Sequence, residues 1–317
     1  MGFCMPAIVY RLQPWAFVDR LVSDLLPAGF TLLPLARDAT AAERATSLAY
    51  AEFLMGSWVT TTQTLTEADY AAAPRLKLVQ LMSAGYEHVD LNLAARHGVP
   101  VATFGDAMAS LVAEHTLLLM LAVYRRLLQL DAAVRSGTWR GSEPVLRELR
   151  GKRVGLIGFG YIAQAVEVRL HAFDCEVVHF SRHSASLPRD ELLATSDVVS
   201  LHVPLAPSTR GLIGNRELAL MKPNAVLINT SRGPVVDQPA LLAALRDGRL
   251  AGAGLDVLDP EPPSIDDPLL HLPNVVFTPH NGGQAEEVWP RIVRTCFDNI
   301  QRVARGEPPL YLAPPLD

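Results

Sequence analysis

The chain has 317 residues, of which 49% are hydrophobic and 19% are charged. This length corresponds to about two domains of ordinary size, and the apolar fraction is too high for a disordered chain. The 28 Lys and Arg residues and the 33 Asp and Glu residues leave a formal charge of −5. This balance argues against nucleic acid as the main partner, because binding to phosphates needs a basic surface.

The cysteines and the apolar runs indicate the environment of the protein. The three cysteines, Cys4, Cys175 and Cys296, are far apart and show no CxxC or Cys/His spacing. We therefore expect neither a disulfide framework nor a metal site. The best apolar run, 117–123, is far shorter than the ~20 residues that cross a bilayer. The first residues have no basic segment followed by a long apolar one, so no signal peptide is predicted and a cytoplasmic protein is expected.

In the first third of the chain, short apolar or β-branched runs alternate with amphipathic stretches. The runs predict five strands, at 7–10, 31–34, 53–55, 78–81 and 99–102. The amphipathic stretches between them predict helices, among them 17–26, 41–49 and 91–96. Such alternation is typical of βαβ units and a parallel sheet. A long apolar helix is then predicted over 108–130, followed by a loop over 137–150.

A second alternation of strands and helices fills the rest of the chain. Its predicted strands are 154–157, 177–180, 198–202, 226–229, 254–257 and 275–278. Its predicted helices are 162–173, 190–194, 216–221 and 239–246, with a last helix at about 285–305. The pattern predicts a second doubly wound parallel sheet.

A glycine motif follows the first strand of this second series. Gly158 and Gly160 stand in the sequence Gly-Phe-Gly-Tyr-Ile-Ala, directly after a strand and at the start of a helix. The first glycine permits a tight turn, and the second lets the backbone approach a pyrophosphate. The third position needs only a small side chain, which Ala163 provides. The helix N-terminus supplies N–H groups and a positive dipole end. The motif predicts dinucleotide binding, with an ordinary βα turn as the alternative.

The next strand end indicates which dinucleotide is bound. An NAD site has Asp or Glu about twenty residues after the glycines, to accept hydrogen bonds from the ribose. This chain has Ser181, Arg182 and His183 there instead. An arginine and a hydroxyl suit a 2′-phosphate, and no carboxylate repels it. NADP(H) is therefore favoured over NAD(H), with a solvated surface arginine as the alternative interpretation.

Three polar residues follow later strands of the same predicted sheet. Arg232, Glu261 and His280 come after three strands, and ligands of open parallel sheets bind at the carboxyl ends of the strands. Arg232 can bind a carboxylate and the carbonyl beside it, and His280 can donate a proton. Glu261 can hold the histidine ring and favour the imidazolium. Each residue alone also has a structural explanation, as a surface ion pair, a loop residue or a structural histidine.

Together with the glycine motif, these residues give the sequence a clear resemblance. Over nearly its whole length the chain resembles the D-isomer-specific 2-hydroxyacid dehydrogenase family, especially its NADP-preferring glyoxylate and hydroxypyruvate reductases. The similar segments are VAEHTLLLMLAVYRRL (112–127), GKRVGLIGFGYIA (151–163), LHVPLAPSTRGLI (201–213), MKPNAVLINTSRGPVVD (221–237), AGLDVLDPEPP (253–263) and TPHNGG (278–283).

The resemblance implies a role for each matching residue. Arg232 binds the substrate, Glu261 supports the histidine, and His280 is the acid/base. The substrate, a small 2-oxo or 2-hydroxy acid, is bound by Arg232, His280 and backbone groups of the turn Ser83, Ala84 and Gly85. Asp256 contacts the nicotinamide carboxamide. The full set of implied cofactor contacts is Gly158, Gly160, Tyr161, Ile162, Ser181, Arg182, His202, Pro204, Thr209, Thr230, Asp256 and Gly282.

The resemblance also implies the organisation of the domains. Two Rossmann-like or flavodoxin-like domains, doubly wound around parallel sheets, are expected with a cleft between them. The substrate domain is formed by 1–103 plus 285–317, and the dinucleotide-binding domain, 104–284, is inserted in it. A homodimer is expected, with the helix near 108–130 in the contact.

The chain departs from the family in ways that keep alternatives open. Asp106 and Met108 stand where the family often has Gly and Asn, and a carboxylate there could repel some acids. An NAD-linked phosphoglycerate or erythronate-phosphate dehydrogenase is one alternative, for which Arg75, Lys77 and Arg96 are the obvious cations. A nucleotide-sensing, co-repressor-like binding protein is an alternative of another class.

Overall fold

The computed structural model describes residues 5–57, 64–139 and 145–315. The chain forms two compact units. The first, unit 1, contains the chain up to Met108 together with the segment from Ala285, and the second, unit 2, runs from Ala109 to Gln284.

Unit 1 is built on a five-stranded parallel sheet. Its strands are β1 (Ala7–Arg11), β2 (Thr31–Leu35), β3 (Phe53–Gly56), β4 (Leu78–Leu81) and β5 (Val101–Ala102). They are arranged in the order β2-β1-β3-β4-β5. The central strands β1, β3 and β4 are buried along their whole length, whereas β2 is an edge strand that tolerates Pro34.

The helices of unit 1 lie between these strands in the chain, except the late helix, which follows unit 2. They are α1 (Ala16–Asp24), α2 (Ala41–Leu48), α3 (Glu67–Ala72), α4 (Leu91–Arg96) and the late helix α11 (Val288–Ala304). Helix α3 was not predicted from the sequence, although a local capping signal defines its start. The Thr66 hydroxyl accepts the Asp69 amide, and the Asp69 carboxylate accepts the Thr66 amide.

A buried polar network joins α11 to β4 and to the end of the chain. The Asn299 side chain donates to Gln80 Oε1 at 2.9 Å and to the Leu310 carbonyl at 3.0 Å. The Gln80 amide in turn donates to the Thr103 carbonyl at 3.0 Å. Because both side chains are completely buried, these bonds fix the segments that meet there.

Unit 2 is built on a six-stranded parallel sheet. Its strands are β6 (Arg153–Ile157), β7 (Glu176–Phe180), β8 (Val198–Leu201), β9 (Val226–Asn229), β10 (Gly252–Leu255) and β11 (Val275–Phe277). Their order is β11-β10-β9-β8-β6-β7. The predicted fold class, doubly wound parallel sheets, is confirmed in both units.

The helices of unit 2 lie between these strands and at the start of the unit. They are α5 (Ala109–Tyr124), α6 (Leu127–Arg135), α7 (Tyr161–His171), α8 (Arg189–Thr195), α9 (Asn215–Leu220) and α10 (Gln238–Arg246). Two short 3-10 turns, Gly233–Val235 and Pro268–His271, complete the unit.

The prediction of one helix over 108–130 is wrong, because the helix is interrupted. Arg126 has the left-handed values φ 51 and ψ 39, so α5 ends at Tyr124 and α6 begins at Leu127. The Tyr124 carbonyl accepts the Arg147 amide at 3.0 Å instead of continuing the helix. A tertiary contact thus ends α5 without the glycine or proline that usually marks such a break.

Two further observations concern the described residues only. No helix there has both the length and the apolar character required to cross a membrane. Those ranges also contain no group of three or more His, Cys, Asp or Glu side chains that could hold a metal ion.

Candidate active site

The glycine motif forms a turn between β6 and α7. Gly158 has φ +92, and a Cβ there would lie 2.4 Å from the His202 carbonyl oxygen, so only glycine fits. A Cβ on Gly160 would meet no atom within 4 Å, and α7 begins at the next residue without a side-chain cap. This open space above a helix N-terminus fits the pyrophosphate of a dinucleotide.

The turn after β7 presents the residues expected to select the cofactor. The Ser181 hydroxyl donates to the Ser184 carbonyl at 2.7 Å and accepts the Ser184 amide at 3.0 Å. The Ser181 amide also donates to the Ser184 carbonyl. The hydroxyl is therefore engaged within its own turn, while Arg182 and His183 are exposed at the tip.

His202 and Thr209 lie in the segment that follows β8. His202 Nε2 is 2.9 Å from the Ser200 hydroxyl, and burial lowers the pKa of His202 to about 4. The ring is therefore neutral at physiological pH. The Thr209 hydroxyl accepts the Ala206 amide at 2.8 Å and donates to the Pro204 carbonyl at 2.6 Å. These bonds close the loop at the carboxyl end of β8.

Asn229, the last residue of β9, shapes the loop that carries Arg232. Its buried side chain donates to the Arg232 carbonyl at 2.9 Å. The same side chain accepts the Ser231 amide at 3.0 Å and the Ser231 hydroxyl at 2.8 Å. Arg232 is half-buried, and its guanidinium donates to the Ser231 carbonyl at 2.7 Å. One buried amide thus determines the path of the backbone on both sides of Ser231.

Gly233 holds the Arg232 loop against the segment that follows β10. A Cβ on Gly233 would lie 1.9 Å from the Leu258 carbonyl oxygen. The Leu258 amide, in turn, donates to Glu261 Oε1 at 3.1 Å. The close approach at Gly233 therefore brings Arg232 and Glu261 into the same part of the unit.

Glu261 and His280 form a hydrogen-bonded pair. His280 Nδ1 lies 2.7 Å from Glu261 Oε2, and the two side chains are 40% and 37% exposed. Burial alone would raise the pKa of Glu261. The His280 hydrogen bond and charge, the Leu258 amide and the Arg232 guanidinium outweigh that effect and lower it. Glu261 is therefore a carboxylate at neutral pH, placed to orient the ring.

Asp256 holds the backbone of the His280 turn. The His280 amide donates to the Asp256 carbonyl at 2.8 Å. The next two amides, of Asn281 and Gly282, donate to the Asp256 carboxylate at 3.0 and 2.9 Å. Since His280 has the left-handed value φ 52, these consecutive bonds stabilise a backbone conformation that costs a side-chain-bearing residue about 1–2 kcal/mol.

The Asp256 carboxylate has further partners outside this turn. It accepts the Thr278 hydroxyl at 2.6 Å, and His115 Nε2 lies 3.4 Å away. Burial would raise the pKa of Asp256, but these contacts and the Asn281 and Gly282 amides together lower it. The carboxylate is therefore charged although Asp256 is only 4% exposed.

The predicted substrate turn lies in unit 1, directly after β4. The Ser83 hydroxyl donates to the Gly85 carbonyl at 2.9 Å, which closes the turn around Ala84. The Met82 amide donates to the Gly56 carbonyl at 2.8 Å, so the turn starts from a fixed position at the carboxyl end of the sheet.

The cations considered for a phosphorylated substrate have local partners. Lys77 is paired with Glu52 at 2.8 Å, and Arg75 donates to the Tyr50 carbonyl at 3.0 Å. Arg96 lies 3.7 Å from Glu67. Because Lys77 precedes β4, it lies at the opposite end of that strand from Ser83.

Unit 2 therefore brings the predicted residues together at one edge of its sheet. Gly158, Ser181 and His202 follow β6, β7 and β8, and Arg232 and Asp256 follow β9 and β10. Thr278 and His280 follow β11. A glycine turn and a polar acid/base pair thus lie together at the carboxyl ends of parallel strands. This arrangement defines the class of nicotinamide-dependent oxidoreductases.

The comparisons with known proteins narrow this class to a family. The chain belongs to the D-isomer specific 2-hydroxyacid dehydrogenases, whose NAD binding domain model matches residues 117–282. A glyoxylate reductase of Thermococcus litoralis is 40% identical over 254 residues, which are 75% of this chain and 76% of that protein. The chain is therefore a dehydrogenase that uses a nicotinamide cofactor.

Two further relatives show the range of the family. A D-3-phosphoglycerate dehydrogenase of Methanocaldococcus jannaschii is 36% identical over 74% of this chain, but this match spans only 47% of that longer protein. An NADPH-dependent glyoxylate/hydroxypyruvate reductase of Sinorhizobium meliloti, solved with citrate, superimposes with a TM-score of 0.82. It is 28% identical, and the match covers 97% of both chains.

Sequence reasoning missed two groups that shape the site. Asn229 stands inside a motif that was recognised, but a buried asparagine at a strand end was not interpreted as an organiser of the Arg232 loop. His115 stands between Glu114 and Thr116, just before the apolar part of α5. The partners of its ring lie 163 and 141 positions away and could not be inferred from this local sequence.

Proposed function

We propose that the protein is an NADP(H)-dependent reductase of small 2-oxo acids of the glyoxylate and hydroxypyruvate type. The observation that carries the proposal is the 2.7 Å contact of His280 with Glu261, beside the loop of Arg232. A cationic group for a carboxylate and a histidine held by a carboxylate are what reduction of a 2-oxo acid needs. The relatives named glyoxylate reductase support this substrate class.

Each unit has its own part in the proposed reaction. The substrate domain, 1–103 with 285–317, contributes the backbone groups of Ser83, Ala84 and Gly85, which bind the substrate carboxylate. The dinucleotide-binding domain, 104–284, holds the cofactor between the glycine turn and the Ser181 turn. The match of the NAD binding domain model to residues 117–282 supports this assignment.

The residues of unit 2 supply the proton and stabilise charge. NADPH, when bound, supplies the hydride. Arg232 orients the acid through its carboxylate and stabilises the negative charge that grows on the carbonyl oxygen. Since His280 Nδ1 faces Glu261, its Nε2 is the ring nitrogen that donates the proton to this oxygen. In the direction of oxidation the same nitrogen accepts the proton.

The choice of NADP(H) depends on Arg182. The Ser181 hydroxyl is engaged with Ser184, so the exposed arginine is the group at this turn best suited to a 2′-phosphate. Arg182→Ala is expected to raise the Kd of NADPH at least about tenfold, as removal of a charge-assisted pair does, and to leave the Kd of NADH nearly unchanged.

Fluorescence titration with both cofactors measures this effect, with Arg249→Ala as the control. Arg249 is an exposed arginine that pairs with Asp247 after α10, and its removal should change neither Kd. Equal losses of NADPH and NADH affinity in Arg182→Ala would show that the side chain does not recognise the phosphate.

A panel of 2-oxo acids with both cofactors tests the proposed function itself. We expect the highest kcat/KM with NADPH and glyoxylate or hydroxypyruvate. Preference for a phosphorylated 2-oxo acid and NADH would instead favour the phosphoglycerate type. Tight NADPH binding with no turnover of any acid would favour a nucleotide-sensing role.

We also propose that the protein is a cytoplasmic homodimer with α5 and α6 in the contact. Both helices and the segment after them expose large apolar side chains, namely Leu118, Leu127, Leu128, Val134 and Trp139. A second copy that covers them would remove this apolar surface from water. Light scattering that gives the mass of one chain at micromolar concentration would contradict the dimer.

A further inference from the structure

Helix α5 lies along β10 in a defined register. A Cβ on Gly254 would lie 2.9 Å from Leu119 Cβ, and a Cβ on Gly252 would lie 2.9 Å from Val123 Cγ1. Two glycines thus let the helix approach the strand closely. Four helix residues advance about 6 Å and two strand residues about 6.6 Å, so the two repeats match.

One further step of this register brings His115 to Asp256. His115 is four residues before Leu119, and Asp256 is two residues after Gly254, so both continue the same contact line. Accordingly, His115 Nε2 lies 2.8 Å from Thr278 Oγ1 and 3.4 Å from Asp256 Oδ1. Gly282 lies over the same ring, since a Cβ there would be 3.0 Å from His115 Cδ2.

The direction of the hydrogen bonds follows from the groups present. Thr278 has one hydroxyl hydrogen, which it donates to Asp256 at 2.6 Å. Its oxygen can therefore only accept from His115, which means that Nε2 of His115 carries a hydrogen. The result is a chain of bonds from α5 through Thr278 to the carboxylate that holds the Asn281 and Gly282 amides.

Thr116, the next residue on α5, contacts the loop that carries Arg232. The completely buried hydroxyl of Thr116 lies 3.1 Å from that of Thr230, two residues before Arg232. Adjacent positions of one helix therefore support both the His280 turn and the Arg232 loop.

We propose that His115 is a positioning residue for the reaction. It acts through Thr278 and Asp256 on the backbone turn that places His280, and it does not touch the reacting atoms. This inference rests on the proposed function, because its main readout is the turnover of a 2-oxo acid.

The test compares two substitutions of His115 with different chemistry. His115→Leu keeps the bulk but removes the donor, whereas the side-chain nitrogen of His115→Gln can replace Nε2. We expect His115→Leu to lower kcat by about tenfold to a hundredfold, the range for a misplaced catalytic group. His115→Gln should recover kcat to within about threefold of the wild type, with kcat of both variants measured at saturating NADPH.

A histidine elsewhere in unit 2 provides the matched control. His171 is exposed in the last turn of α7, and His171→Leu should leave kcat unchanged. The proposal would be overturned if His115→Leu kept the wild-type kcat, or if His115→Gln lost as much as His115→Leu. Recovery of the wild-type kcat by His115→Leu at saturating NADPH would also overturn it, because the histidine would then serve cofactor binding alone.

Thr278→Val removes the hydroxyl that bonds to both His115 and Asp256. This variant replaces His115→Leu in the test if His115→Leu does not fold. It should lower kcat to a similar extent, and the double variant His115→Leu/Thr278→Val should be no worse than either single variant. Additive losses would mean that the two residues act independently, which contradicts the proposal.

A readout without turnover separates this inference from the proposed function. In protein labelled with 15N-histidine, the His280 ring signals are identified by their loss in His280→Ala. His115→Leu should shift these signals, whereas His115→Gln should leave them in place. Unshifted signals in His115→Leu would overturn the positioning role, whatever acid the wild-type protein turns over.

Discussion

Asp256, which is buried, and His202, which is half-buried, are titratable residues with opposite ionisation behaviour. For Asp256, hydrogen bonds from amides and side chains outweigh the burial that would raise its pKa, so the carboxylate remains charged. For His202, whose ring contacts the Ser200 hydroxyl, burial prevails and lowers the pKa to about 4. One residue is therefore a charged anchor of the His280 turn, and the other has a neutral ring, while its backbone carbonyl faces Gly158 of the glycine turn.

Asp256→Asn tests the anchor. The amide replaces one acceptor oxygen with a donor that faces a backbone N–H, so we expect a loss of about 2 kcal/mol in the free energy of unfolding at pH 7. In the wild type the lowered pKa stabilises the fold above the ordinary carboxyl value of 3.8, and this contribution is lost as pH falls through the lowered pKa. The variant should lack this acid-dependent loss.

Urea denaturation at pH 7 and at about pH 3 measures both effects. Asp247→Asn is the control, since Asp247 is largely exposed and pairs only weakly with Arg249 at 3.5 Å. Equal pH dependence in Asp256→Asn and the wild type would show that the charge of Asp256 does not stabilise the turn.

The lowered pKa of His202 should cause a separate loss of stability, at a higher pH than the loss expected from Asp256. Its pKa is about 4 in the folded protein and near 6.5 when exposed. The contribution of the neutral His202 ring to the free energy of unfolding is therefore fully present above pH 6.5. It is lost as the pH decreases towards 4, by about 2–3 kcal/mol. His202→Asn should remove this dependence between pH 6.5 and 4, as followed by thermal unfolding. A variant that loses stability over that interval as steeply as the wild type would contradict it.

At the scale of elements, close backbone contacts determine which loops meet. Gly233 approaches Leu258, and Gly158 approaches the carbonyl of His202. Glycine is required at both positions because a Cβ would collide with a neighbouring backbone carbonyl, and not only because of the glycine's own φ and ψ. They align the loops after β9 and β10, and those after β6 and β8.

Gly233→Ala is expected to separate Arg232 from Glu261. Its Cβ would lie 1.9 Å from the Leu258 carbonyl oxygen, and a backbone atom cannot move aside as a flexible side chain can. We expect a loss of about 3 kcal/mol or more in unfolding free energy, together with a strong fall in kcat. Chemical denaturation and steady-state kinetics measure these losses.

Gly214→Ala is the matched control for this prediction. A Cβ on Gly214 would have its nearest neighbour at 3.6 Å, an ordinary contact, so the loss should stay below about 1 kcal/mol. Similar losses in the two variants would show that the contact at Leu258 is not the cause.

Much of the element pattern could be predicted because its causes are local. Strands such as 226–229 are short apolar runs, and Gly158 follows a strand and precedes a helix. The break at Arg126 could not be predicted, because Tyr124 is capped by an amide of Arg147, which is distant in sequence. The role of Asn229 was also missed, since it depends on where the loop after β9 turns.

At the scale of the whole molecule, both units use the same arrangement of strands. In each, the first strand lies between the second and the third, and later strands are added on one side. This order places the glycine turn of unit 2 at the β6–β8 switch point, where open sheets bind their ligands. Arg232, Asp256 and His280 then follow successive strands along the same edge.

The substitution His280→Ala tests the central claim most directly. Steady-state reduction of glyoxylate by NADPH should fall about 10³-fold in kcat, because the proton donor is removed. The Kd of NADPH should stay within about threefold of the wild-type value, and His171→Ala should behave like the wild type. An unchanged kcat in His280→Ala would contradict the assignment of His280 as the acid/base.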